Sequence, residues 1–355
     1  MKNNKVIVVN SLGLGGGEKV AISLAEHFSY PLWVLEPTKH FDTNANIKCL
    51  SFLPLYFPNL FHRLVSLLLF PFYIVKYKVD TIQSHLVVSN VICCLFRLIF
   101  SYKLQIVQHG SFRRLEKARL FIVFSFFYKM ADEMVCISSD MYADAIRLFE
   151  NSKIVTVNNP HDIEKYIRRS LLSPDKSIDL SMSYFVVVGR LIELKRISDI
   201  LKALALSHSS DHLVVLGDGP LRGTLINEAN ELGVSEKVHF LGSMSNPFPY
   251  IKRAKGLILA SESEGFPNCI IESLAVETPV VSSNCISGPS EILKLSINNN
   301  VEFVSNEVGI LYSVGDVDTL MNIINNFNNF RFNGKTMFEY ASTYDINTVA
   351  SKYYI

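Results

Sequence analysis

Short runs of apolar, often β-branched residues alternate along this chain with longer stretches whose apolar positions recur at helical spacing. That alternation predicts parallel sheets assembled from βαβ units. In the first half the runs fall at 5–10, 31–36, 47–52, 79–84, 104–108, 134–138 and 153–157. In the second they fall at 184–188, 212–216, 237–241, 256–260, 279–283 and 308–312. Between the two sets lies "RRSLLSPDKSIDLSMS" (168–183), polar, serine-rich and broken by a proline, which reads as an interdomain linker. The pattern predicts an α/β protein of two doubly wound, Rossmann-like domains, 1–167 and 184–343. Such folds hold ligands at the carboxyl ends of their strands, here in a cleft between the domains.

Length agrees, because 355 residues exceed what one hydrophobic core usually serves, and 49% hydrophobic residues supply two. The net charge of +1 hides an asymmetry. Residues 1–160 hold 17 Lys/Arg against 11 Asp/Glu, or +6; the remainder hold 17 against 22, or −5. The six cysteines (Cys49, Cys93, Cys94, Cys136, Cys269, Cys285) form no C-x-x-C pair and have no histidine at ligand spacing, so neither a metal site nor a disulfide framework is expected. Reduced cysteines and an N-terminus without a signal-like apolar region fit a cytoplasmic protein. The apolar runs 64–75 and 86–100 fall short of a membrane span and read as core helices.

Candidate chemistry is densest in "SESEGFPNCIIESLAVETPVVSS" (261–283). A strand runs into a loop carrying Glu264, then Pro267 opens a helix on which Glu272 lies about a turn and a half in. The free N–H groups around Asn268 and Cys269 form a positive helix terminus between the two acids. One acid on each side of an anion matches a sugar nucleotide: sugar hydroxyls, a diphosphate, ribose hydroxyls. The competing reading is structural, with Glu264 capping the helix and Glu272 on a solvated face. In "VVVGRLIELKR" (186–196) Arg190 and Lys195 follow a strand end, placed either to neutralise a leaving diphosphate or to salt-bridge at the surface. "LVVLGDGPLR" (213–222) and "NCISGPSEIL" (284–293) are tight turns leading into helices. The loop in "VNSLGLGGGEKV" fails the dinucleotide fingerprint, because Glu18 stands at the third glycine position; Gly15, Gly16 and Gly17 read instead as facing a substrate.

In this order "VGRLIELKR", "GDGPLR", "FLG", "SESEGFPNCIIESLA", "PVVSS" and "SGPSEIL" resemble the retaining glycosyltransferases of family 4, which have the GT-B fold. The resemblance covers nearly the whole chain and is densest over 184–293. It implies a C-terminal helix at about 344–355 returning to the first domain. It also implies that Arg190 and Lys195 hold the donor diphosphate, that Glu264 contacts the transferred sugar, and that Glu272 binds the ribose. Gly242 and the turn Gly265, Phe266, Pro267, Asn268 and Cys269 would complete the donor site. His109, in "IVQHGSFRR", takes the place of the family's histidine beside the reacting sugar, with His85 in "QSHLVVSN" a second candidate; a structural histidine is the plainer reading. Glu277 and Arg196 stand where the family commonly has glycine, and Ser290 where arginine is frequent.

The implied activity is metal-independent transfer of a hexose or N-acetylhexosamine from a nucleoside-diphosphate donor, a UDP-sugar by expectation, with no further cofactor. An acceptor is suggested by residues 61–129, where Arg63, Lys76, Lys78, Arg97, Lys103, Arg113, Arg114, Lys117, Arg119 and Lys129 face only Asp80 and Glu116. Such a surface suits an anionic cytoplasmic leaflet and a lipid-linked, polyprenyl-diphosphate oligosaccharide, as in bacterial O-antigen or capsule synthesis. No nucleic-acid motif accompanies the charge. A UDP-sugar 2-epimerase and a catalytically silent assembly partner share the architecture and remain as alternatives.

Overall fold

The computed structural model describes residues 4–13, 15–37, 43–116, 121–149, 153–175, 181–298 and 301–353, with backbone only at 114, 115 and 121–123. Lys117 and Arg119 of the basic set lie outside these residues. The chain divides into two compact units, residues 1–161 with 346–355, and residues 162–345.

The first unit is built on a seven-stranded parallel sheet. Its strands are β1 (Lys5–Val9), β2 (Leu32–Val34), β3 (Ile47–Cys49), β4 (Thr81–His85), β5 (Lys103–Gln108), β6 (Glu133–Cys136) and β7 (Ile154–Thr156), in the order β3-β2-β1-β4-β5-β6-β7. The second sheet contains β8 (Tyr184–Val188), β9 (His212–Leu216), β10 (Val238–Gly242), β11 (Gly256–Leu259), β12 (Val280–Ser283), β13 (Phe303–Ser305) and β14 (Gly309–Tyr312), in the order β10-β9-β8-β11-β12-β14-β13. Both are doubly wound, and the order reverses at β1 in one and at β8 in the other. Central strands such as "VIVV" and "YFVVV" are buried on both faces, which is why they read as continuous apolar runs. Each such Val or Ile contributes on the order of 1.5–3 kcal/mol of burial. Only β13 escaped the pattern; it is a three-residue edge strand, antiparallel to β14.

The changeover between units falls at His161/Asp162, ahead of the expected linker at 168–183. Asp162 Oδ1 caps the helix Ile163–Ser170 by accepting from the Lys165 N–H at 2.9 Å. That helix packs into the second unit: Tyr166 stacks on Phe248 with ring centroids 4.6 Å apart, and Arg169 donates to the Ser245 carbonyl at 2.5 Å. Residues 163–170 are therefore an element of the second unit, and not the tail of the first. At the other end, Ile346 donates to the His161 carbonyl at 2.8 Å and the Tyr353 hydroxyl donates to that of Asn158 at 3.2 Å, within the first unit.

Helix α2 (Asn59–Tyr77) corrects the expectation about apolar runs. It has 19 residues and a mean hydropathy of 1.3, long and apolar enough to cross a membrane, yet only 22% of it is buried. Its inward stripe at four-residue spacing is His62, Ser66, Phe70 and Ile74, while Leu60, Phe61, Leu64, Leu68, Phe72 and Val75 are exposed. A consecutive-apolar count misses this helix because His62, Arg63 and Ser66 interrupt the run. The basic set is also less free than its count implies, since Arg63, Arg97 and Arg113 pair with Glu36, Asp132 and Asp144.

Candidate active site

In the second unit, parallel strands β8, β11 and β12 end at the same edge, and the loops after them are stitched together. The Glu262 N–H donates to the Leu194 carbonyl at 2.9 Å, the Glu264 N–H to that of Ile286 at 3.3 Å, and Ser263 bridges Ile286 in parallel register. The loop 189–191 is braced in turn by the Gly-Asp-Gly-Pro turn, through Leu191 N–H to the Asp218 carbonyl at 3.0 Å and Leu221 N–H to that of Leu191 at 3.1 Å. That turn is thus scaffold for the basic loop.

Into this frame the chain places Lys195 and Glu264 as a pair, with Nζ to Oε1 at 2.5 Å and side chains 20% and 13% exposed. The Ser261 hydroxyl donates to the same carboxylate oxygen at 2.5 Å. Burial alone would lower the lysine's pKa, but the charge and hydrogen bond of Glu264 reverse this and leave it above the ordinary lysine value. Lys195 is therefore charged at neutral pH, and Glu264 does not cap the following helix, whose N-cap is Pro267. Arg190 is exposed on the same loop as Lys195.

The helix Asn268–Ala275 buries Glu272, only 3% exposed, which removes the solvated-face reading. Its charge helps hold the buried Tyr166 phenol in its neutral form, second to burial itself. Phe266 is buried edge-on against Tyr344 at 5.4 Å, so its ring anchors the turn. Gly288, at φ +100°, lets the 284–288 loop close on this turn; a Cβ there would lie 2.3 Å from Pro267 Cδ. Gly242 is buried at the end of β10, with β9 and β8 between it and β11, and its carbonyl accepts from Gly217 N–H at 2.9 Å. Arg196 and Glu277 both adopt left-handed backbone, φ +47° and +64°, the conformation for which glycine is the cheap residue. Arg196 recovers part of that cost through Nε to Asp199 Oδ2 at 2.7 Å.

In the first unit the two candidate histidines meet. His85 ends β4 and His109 follows β5; their rings stack at 5.1 Å, with His85 Nδ1 and His109 Nε2 2.9 Å apart. Burial, then the neighbouring His109, holds His85 well below the ordinary histidine value, and burial takes His109 down to about 3. Both rings are neutral at pH 7. Leu86 turns the chain at φ +71°, an outlier beside the pair. Gly17, in α1 (Gly16–Phe28), is buried beneath His109, where a Cβ would come within 2.8 Å of the ring and of Leu86; Gly15 and Gly16 are exposed. The expectation that Gly17 faces a substrate is thus corrected: it faces the histidine. The turn after β5 is fixed by Gln108 Nε2 donating to the Gly110 carbonyl at 2.8 Å and by the Tyr128 hydroxyl donating to Gln108 Oε1 at 3.0 Å.

Sequence reasoning missed Ser261, Gln83, Gln105 and Glu133. Gln83, Gln105 and Glu133 are in register on β4, β5 and β6, and all are buried. Their signal is polar residues in strands that are buried: β4 reads TIQSH, β5 KLQIVQ and β6 EMVC. Among the described residues no group of three or more His, Cys, Asp or Glu could hold a metal ion.

Residues 173–327 match the family described as Glycosyl transferases group 1. A Campylobacter jejuni N-acetylgalactosamine-N,N'-diacetylbacillosaminyl-diphospho-undecaprenol 4-alpha-N-acetylgalactosaminyltransferase is 28% identical over 336 residues, 88% of this chain and 87% of that protein. The lipopolysaccharide 1,6-galactosyltransferase of Salmonella typhimurium is 29% identical over 202 residues, 55% of this chain and 52% of that protein. An uncharacterized glycosyltransferase of Methanocaldococcus jannaschii is 29% identical over 194 residues, 52% of this chain, a match that spans about half (48%) of that protein. Among solved structures, Anabaena HepE in complex with UDP-glucose superposes with a TM-score of 0.80 at 17% identity, covering 98% of this chain and 97% of that one. Residues 173–327 are thus similar to the group 1 glycosyltransferases, and the chain as a whole has the two-sheet GT-B fold.

Proposed function

We propose that this protein is a retaining, metal-independent glycosyltransferase that moves a hexose or N-acetylhexosamine from a UDP-sugar to a lipid-linked, polyprenyl-diphosphate oligosaccharide in bacterial surface-polysaccharide synthesis. The observation that carries the reading is the Lys195–Glu264–Ser261 cluster at the carboxyl edge of the second sheet, beside the strand where the order reverses. The Campylobacter relative, whose name puts its acceptor on diphospho-undecaprenol, and the UDP-glucose complex of HepE support the acceptor and donor classes.

In this reading Arg190, Lys195 and the N–H groups at Asn268 and Cys269 meet the negative charge that grows on the β-phosphate as the anomeric bond breaks. Preorganised donors in that role are worth about 3–4 kcal/mol each. The acceptor hydroxyl attacks the face the diphosphate leaves, and a phosphate oxygen takes its proton. Glu264 orients the sugar, and Glu272 takes the ribose hydroxyls. Screening UDP-, GDP- and dTDP-sugars for thermal stabilisation should give a shift with a UDP-sugar; no shift with any of the three sinks the proposal. A UDP-sugar converted without any acceptor would identify an epimerase instead.

The acceptor's lipid places the enzyme at the cytoplasmic face of the cell membrane, and α2 supplies the contact. Its exposed stripe is large and apolar, it carries no Asp or Glu, and Lys76 and Lys78 lie at its end. Each well-placed cation adds on the order of 1 kcal/mol on an anionic leaflet. Vesicles containing anionic lipid should float the protein, and Leu68→Ser with Phe72→Ser should reduce flotation about tenfold or more while leaving UDP-sugar stabilisation intact. Equal flotation of the variant, or release of the protein by a low-salt wash, would count against the contact.

A further inference from the structure

A row of buried polar side chains crosses the first sheet and ends on His109. Glu133 on β6 is 5% exposed; it pairs with Lys153 through Oε2, and its Oε1 accepts from Gln105 Nε2 at 2.7 Å. Gln105 Oε1 accepts from Gln83 Nε2 at 2.5 Å, Gln83 Oε1 lies 3.1 Å from His85 Nε2, and His85 Nδ1 lies 2.9 Å from His109 Nε2. Gln83, His85 and Gln105 have no exposed surface at all.

The direction of every bond follows from one end. A carboxylate paired to a lysine offers only acceptors, so Gln105 must present its NH₂ to Glu133 and its oxygen to Gln83. Gln83 must then present NH₂ to Gln105 and oxygen to His85. That oxygen requires a proton on His85 Nε2, and a neutral ring so protonated has a bare Nδ1. His109 must therefore donate from Nε2, which leaves its Nδ1 a lone-pair acceptor. Among the described residues His109 Nδ1 is buried and has no hydrogen-bond partner. A buried acceptor left open just past the carboxyl end of a parallel strand is a site for a hydroxyl donor.

We infer that Glu133 is a positioning residue: through Gln105, Gln83 and His85 it fixes His109 as the Nε2–H tautomer and presents Nδ1 to a hydroxyl of the bound sugar. This rests on the proposed function for the identity of the ligand, but the tautomer is a property of the unliganded protein. The two can fail separately. The signal runs over four hydrogen bonds, so no substitution in the row before His85 needs to touch substrate to alter the acceptor.

The test is ¹⁵N-histidine NMR of the full chain at pH 7, with His85→Gln and His109→Gln spectra for assignment. Wild type should show both rings as single Nε2–H tautomers, with a pyridine-like His109 Nδ1. Gln83→Met and Glu133→Met should add a second, Nδ1–H population at His109 and lower kcat about tenfold at unchanged donor KM, the usual size for loss of a second-layer partner. Glu133→Gln, which can still accept from Gln105, should restore both. An Nδ1–H His109 in wild type overturns the inference without any variant, and so does a tautomer ratio unchanged by both Met substitutions. A shifted tautomer with wild-type kcat would keep the relay and reject the sugar hydroxyl as its purpose.

Discussion

Glu264→Ala should lose at least two powers of ten in turnover in a donor-consumption assay while the protein stays folded. The structure adds a control. Because Glu264 and Lys195 are a largely buried pair, either single substitution strands a charge or a donor, and a cost of about 1–3 kcal/mol in stability is expected from that alone. The double variant Lys195→Met with Glu264→Gln removes both charges at once, so it should regain most of that stability in a denaturation experiment and regain none of the turnover. Recovery of both would mean that the pair serves the fold and that the chemistry lies elsewhere. Wild-type consumption by Glu264→Ala would end the assignment of this carboxylate.

Acid should destabilise the protein through His85 and His109. Burial holds both rings neutral in the folded state, with His109 down at about 3, whereas in the unfolded chain they take up protons near 6.5. Between those values the unfolded state binds more protons, so stability is complete above about pH 6.5 and falls as pH drops toward 3. The slope reaches about 1.4 kcal/mol per pH unit for each histidine. Denaturant midpoints measured at pH 7.5, 6 and 5 should fall steeply for wild type and less steeply for the variant carrying His85→Gln and His109→Gln. Parallel curves would show that some other group sets the acid limit.

Both sheets were legible because doubly wound folds bury their strands on both faces, and continuous runs such as "YFVVV" have no competing reading. β13 was not, since a three-residue edge strand offers neither length nor alternation. The Lys195–Glu264 contact was half legible: each residue was singled out by its position past a strand end, but nothing local pairs residues 69 positions apart. The row from Glu133 to His109 was invisible for the same reason, since register between strands is set by tertiary packing. α2 misled because apolar residues are ordinarily taken for core, and here His62 and Ser66 face inward while Leu68 and Phe72 face out.

Gly17 carries a consequence for how this site can change over time. The hydrogen at its α-carbon is all that fits beneath the His109 imidazole, so a methyl group there must displace the ring or the helix start. Positions 17 and 109 are therefore epistatic. A lineage that keeps the histidine is held to this glycine, and one that has lost the histidine still meets Leu86, whose side chain lies as close to the same spot.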